Sequence, residues 1–237
     1  MKNYIGVTYS NKPKTDYPIK LIEYLFKRKP KIFEGYNFPS YSTVLDLGCG
    51  RGDHLVAFCT HGFKVEGFDR CNLPSKLEGS YFLTIGNLEE KLPYRNRIFD
   101  IVFCKSVIEH LYYPEKLFKE VYRILKPGGV FVTLTPDWYS AKEIFHQDFT
   151  HRTPFTLQSL EAIYKIHKFS RVRCANFRQL PFLWKYPWLL PICKFAECFY
   201  NPSTKNKLIK FSKEQMLLGI GTKNEEQRSH QARKNPS

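Results

Sequence analysis

Short apolar runs alternate along this chain with amphipathic stretches of helical period. The runs at 43–47, 64–68, 81–85, 98–104 and 130–134 predict five strands. Between them the pattern predicts a helix from Asp53 to His61, with Asp53 as its N-cap. A second predicted helix runs from Pro114 to Leu125, with Leu117, Phe118, Val121, Ile124 and Leu125 on one face. Lys126-Pro127-Gly128-Gly129 ends it. Further on, 155–167 reads as a helix with Thr156 as its cap, 169–177 as a sixth strand and 216–220 as a short closing strand. An amphipathic pattern over 18–29 (Ile19, Ile22, Leu25, Phe26) predicts a helix laid against the main domain. Strands alternating with helices imply an α/β fold, a doubly wound, Rossmann-like and mostly parallel sheet with helices on both faces.

One stretch organises the rest. Thr43-Val44-Leu45-Asp46-Leu47 runs into Gly48, Gly50 and Gly52, and a helical pattern then begins. This is a strand, a tight turn and a helix N-terminus, where a glycine backbone can approach a small ligand closely. The second strand closes on Asp69, 19 residues past Gly50. A doubly wound nucleotide-binding fold presents a carboxylate there to two ribose hydroxyls, and one carboxylate can accept from both. The turn is not a dinucleotide fingerprint, because its spacing is Gly-x-Gly-x-Gly with an acid before the first glycine.

At these residues the chain resembles the class I S-adenosylmethionine-dependent methyltransferases. The likeness continues through Gly86-Asn87-Leu88-Glu89-Glu90-Lys91-Leu92-Pro93-Tyr94, Phe99-Asp100-Ile101-Val102-Phe103-Cys104, Glu109-His110-Leu111 and Ile124-Leu125-Lys126-Pro127-Gly128-Gly129. It spans roughly 43–135 in the family's order. The resemblance implies S-adenosylmethionine as cofactor. Asp46 would then lie near its amino group and sulfonium, and Gly48, Cys49 and Gly50 would meet its carboxylate. Asp69, with Arg70 beside it, would hold the ribose, and Asn87 and Leu88 the adenine edge. Asn87 departs from the family's usual Asp, yet its amide oxygen can still accept from an amino group. Lys105 is added from its place at the carboxyl end of the fourth strand.

For a hydroxyl acceptor the enzyme must also remove a proton. The run His146-Gln147-Asp148-Phe149-Thr150-His151 follows the fifth strand and resembles the Asp-x-Thr-His element of bacterial methyltransferases that act on glycans. His151 is the expected base, with Asp148 and His146 supporting it; the competing reading is that the run only caps the following helix. Glu109 and His110 match a family pair, and His110 is read as structural. No metal is expected, since no C-x-x-C pair occurs and the carboxylates of a metal-dependent branch are not placed.

A chain of 237 residues suits one main core with decorations. The reading divides it into an N-terminal helical extension (1–42), a methyltransferase core (43–180), an aromatic insertion (181–210), a closing-strand segment (211–222) and a disordered tail (223–237). Seven scattered cysteines fit reduced thiols in the cytosol, and neither a signal peptide nor a spanning helix is read. The net charge is +15, which fits either an acidic partner or a lysine-rich solvated surface. Three prolines and Phe182, Trp184, Tyr186 and Trp188, with Lys185 and Lys194, mark the insertion. It reads as a contact with the inner face of an anionic membrane, as a lid, or as a dimer contact.

The acceptor expected is a saccharide, lipid-linked or other small-molecule hydroxyl. The alternatives are an RNA or protein methyltransferase and a non-catalytic cofactor-binding subunit. Nucleic acid is disfavoured because Cys104-Lys105-Ser106-Val107 stands where many nucleobase enzymes carry an Asn/Asp-Pro-Pro-Tyr-like tetrad.

Overall fold

A computed structural model describes residues 16–71 and 81–225. β1 (Thr43–Leu47), β2 (Lys64–Asp69), β3 (Phe82–Ile85), β4 (Phe99–Lys105) and β5 (Leu125–Pro136) pair in parallel. β6 (Ser170–Phe177) and β7 (Met216–Thr222) complete the sheet with antiparallel pairings. The order is β3-β2-β1-β4-β5-β7-β6. From β1 the chain builds outward to β3 on one side, then returns to lay β4 on the other. The connectivity therefore reverses between β1 and β4, and in open α/β sheets the ligand crevice opens beyond the carboxyl ends at such a point.

Alternation along the strands splits the apolar side chains between two cores. Val44, Ile101, Phe103, Val130 and Val132 face one side; Leu45, Leu47, Val102, Cys104 and Phe131 face the other. α1 (Asp16–Ile22), its π-helical continuation Glu23–Arg28 and α2 (Asp53–Thr60) cover the first face. α3 (Pro114–Ile124) covers the second and, beyond the short α4 (Trp138–Ala141), so does α5 (Leu157–Ile166). Ile22, Leu25 and Phe26 are fully buried, while Ile19 stays half-buried. Phe26 meets the rings of Phe33, Phe38, Phe58, Phe63 and Phe103 at 5.0–6.3 Å, which ties the N-terminal segment to the sheet.

Several boundaries differ from the sequence reading. The N-cap of α2 is Gly52, in the left-handed region at φ +81°, and no side chain caps it. Asp53 instead stands in the first helical turn and takes the Arg51 guanidinium at 2.6 Å. Thr156 does cap α5, in a box completed by Ser159. β5 starts at Leu125 because Leu125 already pairs with Phe99 across a register shift. β7 is an interior strand rather than a short closing one. It fits beneath Tyr164, where a Cβ at Gly219 or Gly221 would lie 2.8 or 2.6 Å from the ring. The tail does not loosen at 223: Lys223 is buried and donates to the Leu125 and Arg123 carbonyls at 2.8 and 3.3 Å. Residues 226–237 of the expected disordered tail lie outside the described residues, as do 72–80.

The insertion forms α6 (Pro181–Lys185), a 3-10 turn (Pro187–Leu189), α7 (Leu190–Glu197) and α8 (Lys207–Lys213) around a small core of Leu180, Leu183 and Cys193. Trp184 is not at its surface. It stacks on Tyr24 and Phe177 at 5.0 and 5.3 Å and donates to the Arg178 carbonyl.

Arg123 braces the 92–96 segment against α3. Its guanidinium binds both Glu120 carboxylate oxygens at 3.0 and 2.6 Å, the Leu92 and Tyr94 carbonyls at 2.9 and 2.7 Å, and Asn96 at 2.9 Å. A lysine cannot reproduce that fork. We expect Arg123→Lys to lose about 2 kcal/mol of stability, read as a lower urea midpoint at unchanged slope. An unchanged midpoint would show that the 92–96 segment holds without it.

Candidate active site

The bend after β1 is laced to the end of β2. Gly48 and Cys49 donate their N–H groups to the Phe68 carbonyl at 2.7 and 3.2 Å, and Gly50 donates to Asp69 Oδ2 at 2.8 Å. Asp69 Oδ1 accepts from Cys71 N at 3.0 Å. Gly48 and Gly50 have φ of +68° and +56°, which side chains adopt only with strain. Their surroundings differ. A Cβ at Gly48 would lie 2.3 Å from Val107 Cγ2, whereas one at Gly50 meets nothing nearer than the Gly48 carbonyl oxygen at 4.0 Å. Gly50 thus keeps open the crevice wall that a side chain would fill.

The crevice is a cavity of about 720 Å³, the size of a small-molecule site. Gly48, Cys49, Gly50, Asp69, Arg70, Asn87, Leu88 and Lys105 line it, and so do Asp148 and His151 from the other side. Asp46 lies beneath the bend, 2% exposed, and its Oδ2 has no hydrogen-bond partner among the described residues. Burial and the nearby Asp69 hold its carboxyl well above the usual carboxylate range. Lys105 is half-buried, and burial lowers its pKa against the opposing pull of Glu109 and Asp46. Asn87 is engaged locally: its amide oxygen accepts from Glu89 N at 3.1 Å and its amide nitrogen donates to Glu90 at 3.1 Å. It shapes the turn that presents Leu88. His146 is exposed, packs its ring on Trp138 and Phe145, and is not part of the lining.

The opposite wall contains a pair that the sequence reading left structural. Glu109 is 1% exposed; its Oε2 accepts from Thr135 at 2.9 Å, and its Oε1 has no partner among the described residues. Burial pushes its carboxyl up to about 7. The Glu109 carbonyl accepts from Arg152 N and Thr153 N at 2.7 and 3.0 Å, which binds the 148–153 run to the end of β4. This brings the His110 and His151 rings within 4.7 Å of each other. His151 Nδ1 lies 2.7 Å from the Phe145 carbonyl, an acceptor only, so Nδ1 carries the proton and Nε2 the lone pair. Thr150 donates to Asp148 Oδ1 at 2.6 Å and so accepts from His110 Nδ1 at 2.8 Å, fixing the same tautomer there. Glu109, His110 and His151 place one ligand-type atom each within 4.8 Å of one another. Glu-His at the carboxyl end of a strand was the available signal, but the partner histidine lies some forty residues on.

The comparisons with known proteins agree with this fold. The family model described as methyltransferase domain matches residues 15–170. The chain belongs to this family. It is a class I S-adenosylmethionine-dependent methyltransferase by sequence and by fold. A ubiquinone biosynthesis O-methyltransferase of Pseudomonas putida is 33% identical over 97 residues, 36% of this chain and 40% of that protein. Squalene methyltransferase 1 of Botryococcus braunii is 30% identical over 110 residues, 42% of this chain and 28% of that protein. The matches thus span less than half the length of these curated relatives. Among solved structures, a SAM-dependent methyltransferase from Archaeoglobus fulgidus superposes with a TM-score of 0.60 at 21% identity, covering 86% of this chain and 94% of that one. A Haemonchus contortus phosphoethanolamine N-methyltransferase 2 in complex with S-adenosyl-L-methionine gives 0.56 at 18% identity, covering 80% and 50%.

The methyltransferase's own residues fit that cofactor. The donor is cationic at its amino group and sulfur, and the orphaned Asp46 oxygen offers a counter-charge under the bend. The space in front of Gly50 admits a ligand against bare backbone. The two glycines therefore separate stability from binding. Gly48→Ala should lower the melting temperature, costing about 2 kcal/mol or more through strain and overlap with Val107. Gly50→Ala should cost only about 1 kcal/mol of stability yet weaken S-adenosylhomocysteine binding at least tenfold by calorimetry. Equal binding losses in both variants would contradict this assignment.

Proposed function

We propose that this methyltransferase transfers a methyl group to a hydroxyl oxygen of a small-molecule, saccharide or lipid-linked acceptor. The observation that carries the reading is the convergence of Glu109, His110 and His151 in the lining of the same cavity as the glycine bend. When bound, S-adenosylmethionine supplies a methyl group on a positively charged sulfur, which leaves as a neutral thioether. Asp46 would supply negative charge near the donor's cationic end, and Asp69 and Arg70 would lie along its ribose side. The Gly48, Cys49 and Gly50 N–H groups are already taken by the Phe68 carbonyl and Asp69, so, against the sequence expectation, the bend would admit the donor beside bare backbone rather than donate to its carboxylate. Leu88 would pack against the adenine, and Lys105 lies among the carboxylates of the cavity. His151 Nε2 takes the acceptor proton as the oxygen–carbon bond forms. His151 is held for this by the Phe145 carbonyl, and Asp148 Oδ2 lies 4.0 Å from Nε2. The relatives named for ubiquinone O-methylation and for squalene support an apolar small molecule as acceptor over a macromolecule.

A second reading is favoured by the unpartnered Glu109 Oε1. A carboxylate and two imidazoles with braced Nδ1 atoms are also the donor set of a divalent cation, which would activate the hydroxyl directly.

Labelled donor with fractionated extract identifies whether lipid or water-soluble material accepts the methyl group. With that acceptor, His151→Ala should lower kcat by about 10²–10⁴-fold while leaving S-adenosylhomocysteine affinity within about twofold. Asp69→Ala should do the reverse, weakening cofactor affinity first. If His151→Ala turns over like the wild type, the base assignment is wrong. Chelator treatment separates the two readings: activity lost and then restored by Zn²⁺ or Mn²⁺ favours the cation, and unchanged activity favours the base.

A further inference from the structure

The insertion has one surface that the fold leaves uncovered. On α7, Cys193 and Ala196 face inward onto the small core. On its other side Ile192 and Phe195 are 52 and 67% exposed, and Trp188 in the preceding 3-10 turn and Phe199 just past the helix are 74 and 60% exposed. Ile192 and Phe195, three residues apart, share one side of the helix, and the Phe195 and Phe199 ring centroids lie 5.2 Å apart. A helix apolar on both sides with one side open presents a contact surface. The surrounding charge has one sign. Residues 181–213 carry six lysines and one glutamate, and that glutamate, Glu197, is paired with Arg178 at 2.8 Å. Lys185, Lys194, Lys205 and Lys207 are exposed.

We propose that this face docks on an anionic lipid bilayer, with the aromatic stripe in the headgroup region and the lysines among the phosphates. Aromatic residues ringed by lysine suit the water–lipid boundary. Lysine is depleted from protein–protein interfaces, so the same composition argues against a protein partner or a second copy. The contact is peripheral. α7 has eight residues and spans about 12 Å, against about 30 Å of hydrocarbon. No helix of the described residues is long and apolar enough to cross a membrane. Gln179, just before the insertion, and Glu214, Gln215 and Met216, just after it, line the cavity. Both ends of the insertion therefore lie at the cavity, while none of its own residues 181–213 line it.

Cosedimentation of the full chain with vesicles tests this. Vesicles of mixed phosphatidylglycerol and phosphatidylcholine should bind about tenfold or more tightly than pure phosphatidylcholine, and high salt should weaken the binding. The double variant Phe195→Glu/Phe199→Glu should lose at least tenfold in vesicle affinity and keep wild-type affinity for S-adenosylhomocysteine. If the double variant fails to fold, Lys205→Glu/Lys207→Glu carries the same expectation. The proposal is overturned if the wild type binds neither vesicle or both equally, or if the folded variant binds as the wild type does. It is also overturned if the wild type is a dimer that Phe195→Glu/Phe199→Glu makes monomeric, because the stripe is then a contact between copies. Vesicle binding and cofactor binding are measured separately, so failure of this proposal leaves the transferase reading untouched.

Discussion

The Gly50 N–H to Asp69 carboxylate bond, with the paired Gly48 and Cys49 N–H groups on the Phe68 carbonyl, sets the geometry of everything around it. It joins the exit of β1 to the exit of β2, next to the β1–β4 boundary where the sheet's connectivity reverses. Parallel strands must end with their backbone groups pointing into a crevice, and those groups need partners. Here they are satisfied by the neighbouring strand end rather than by a covering side chain. The turn that permits this needs left-handed backbone, and glycine supplies it without strain. The opposite wall is organised by an equivalent device. The Glu109 carbonyl receives two N–H groups from a run more than forty residues later, and that pairing carries His151 to the cavity beside His110.

This difference between the walls decides what could be read from the chain. The first wall is local: strand, bend, helix and acid lie within 43–69, and their order and spacing were legible. Its one misreading, Asp53 as cap, came from treating Gly52 as part of the turn when its positive φ already makes it the cap residue. The second wall is non-local. His146, Asp148 and His151 looked like one cluster because they are close in sequence. A 3-10 turn over Phe145–Gln147 and the bend at Asp148 set His146 outward and His151 inward. Glu109 and His110 looked like helix packing because nothing in the local pattern says that Thr135 and Thr150 will reach them.

Composition was similarly informative about the insertion and silent about its orientation. Four aromatic residues and two lysines marked 181–194 as unusual. Which aromatics face the protein depends on the N-terminal helix, since Tyr24 takes up Trp184 and leaves Trp188 exposed. The exposed phenylalanines further along α7 emerge only once Cys193 and Ala196 are known to fill the inner face.

Charge is distributed against the overall balance, and this links the site to the surface. The chain carries 37 Lys and Arg against 22 Asp and Glu, yet the cavity lining has six carboxylates against four Lys and Arg. Asp46 adds a further buried acid beneath it. Burying carboxylates without full compensation opposes folding, which is why Asp46 and Glu109 are held toward their neutral forms and why Lys105 between them is tolerated. That cost is consistent with a site shaped for a cationic donor, whose arrival replaces mutual repulsion of Asp46 and Asp69 with attraction. An excess of lysine elsewhere, including the rim of the insertion, keeps the same molecule attracted to anionic surfaces. The two fields do not cancel, because solution screens them beyond about 10 Å. The lysine-rich exterior and the carboxylate-lined cavity therefore act on their surroundings separately.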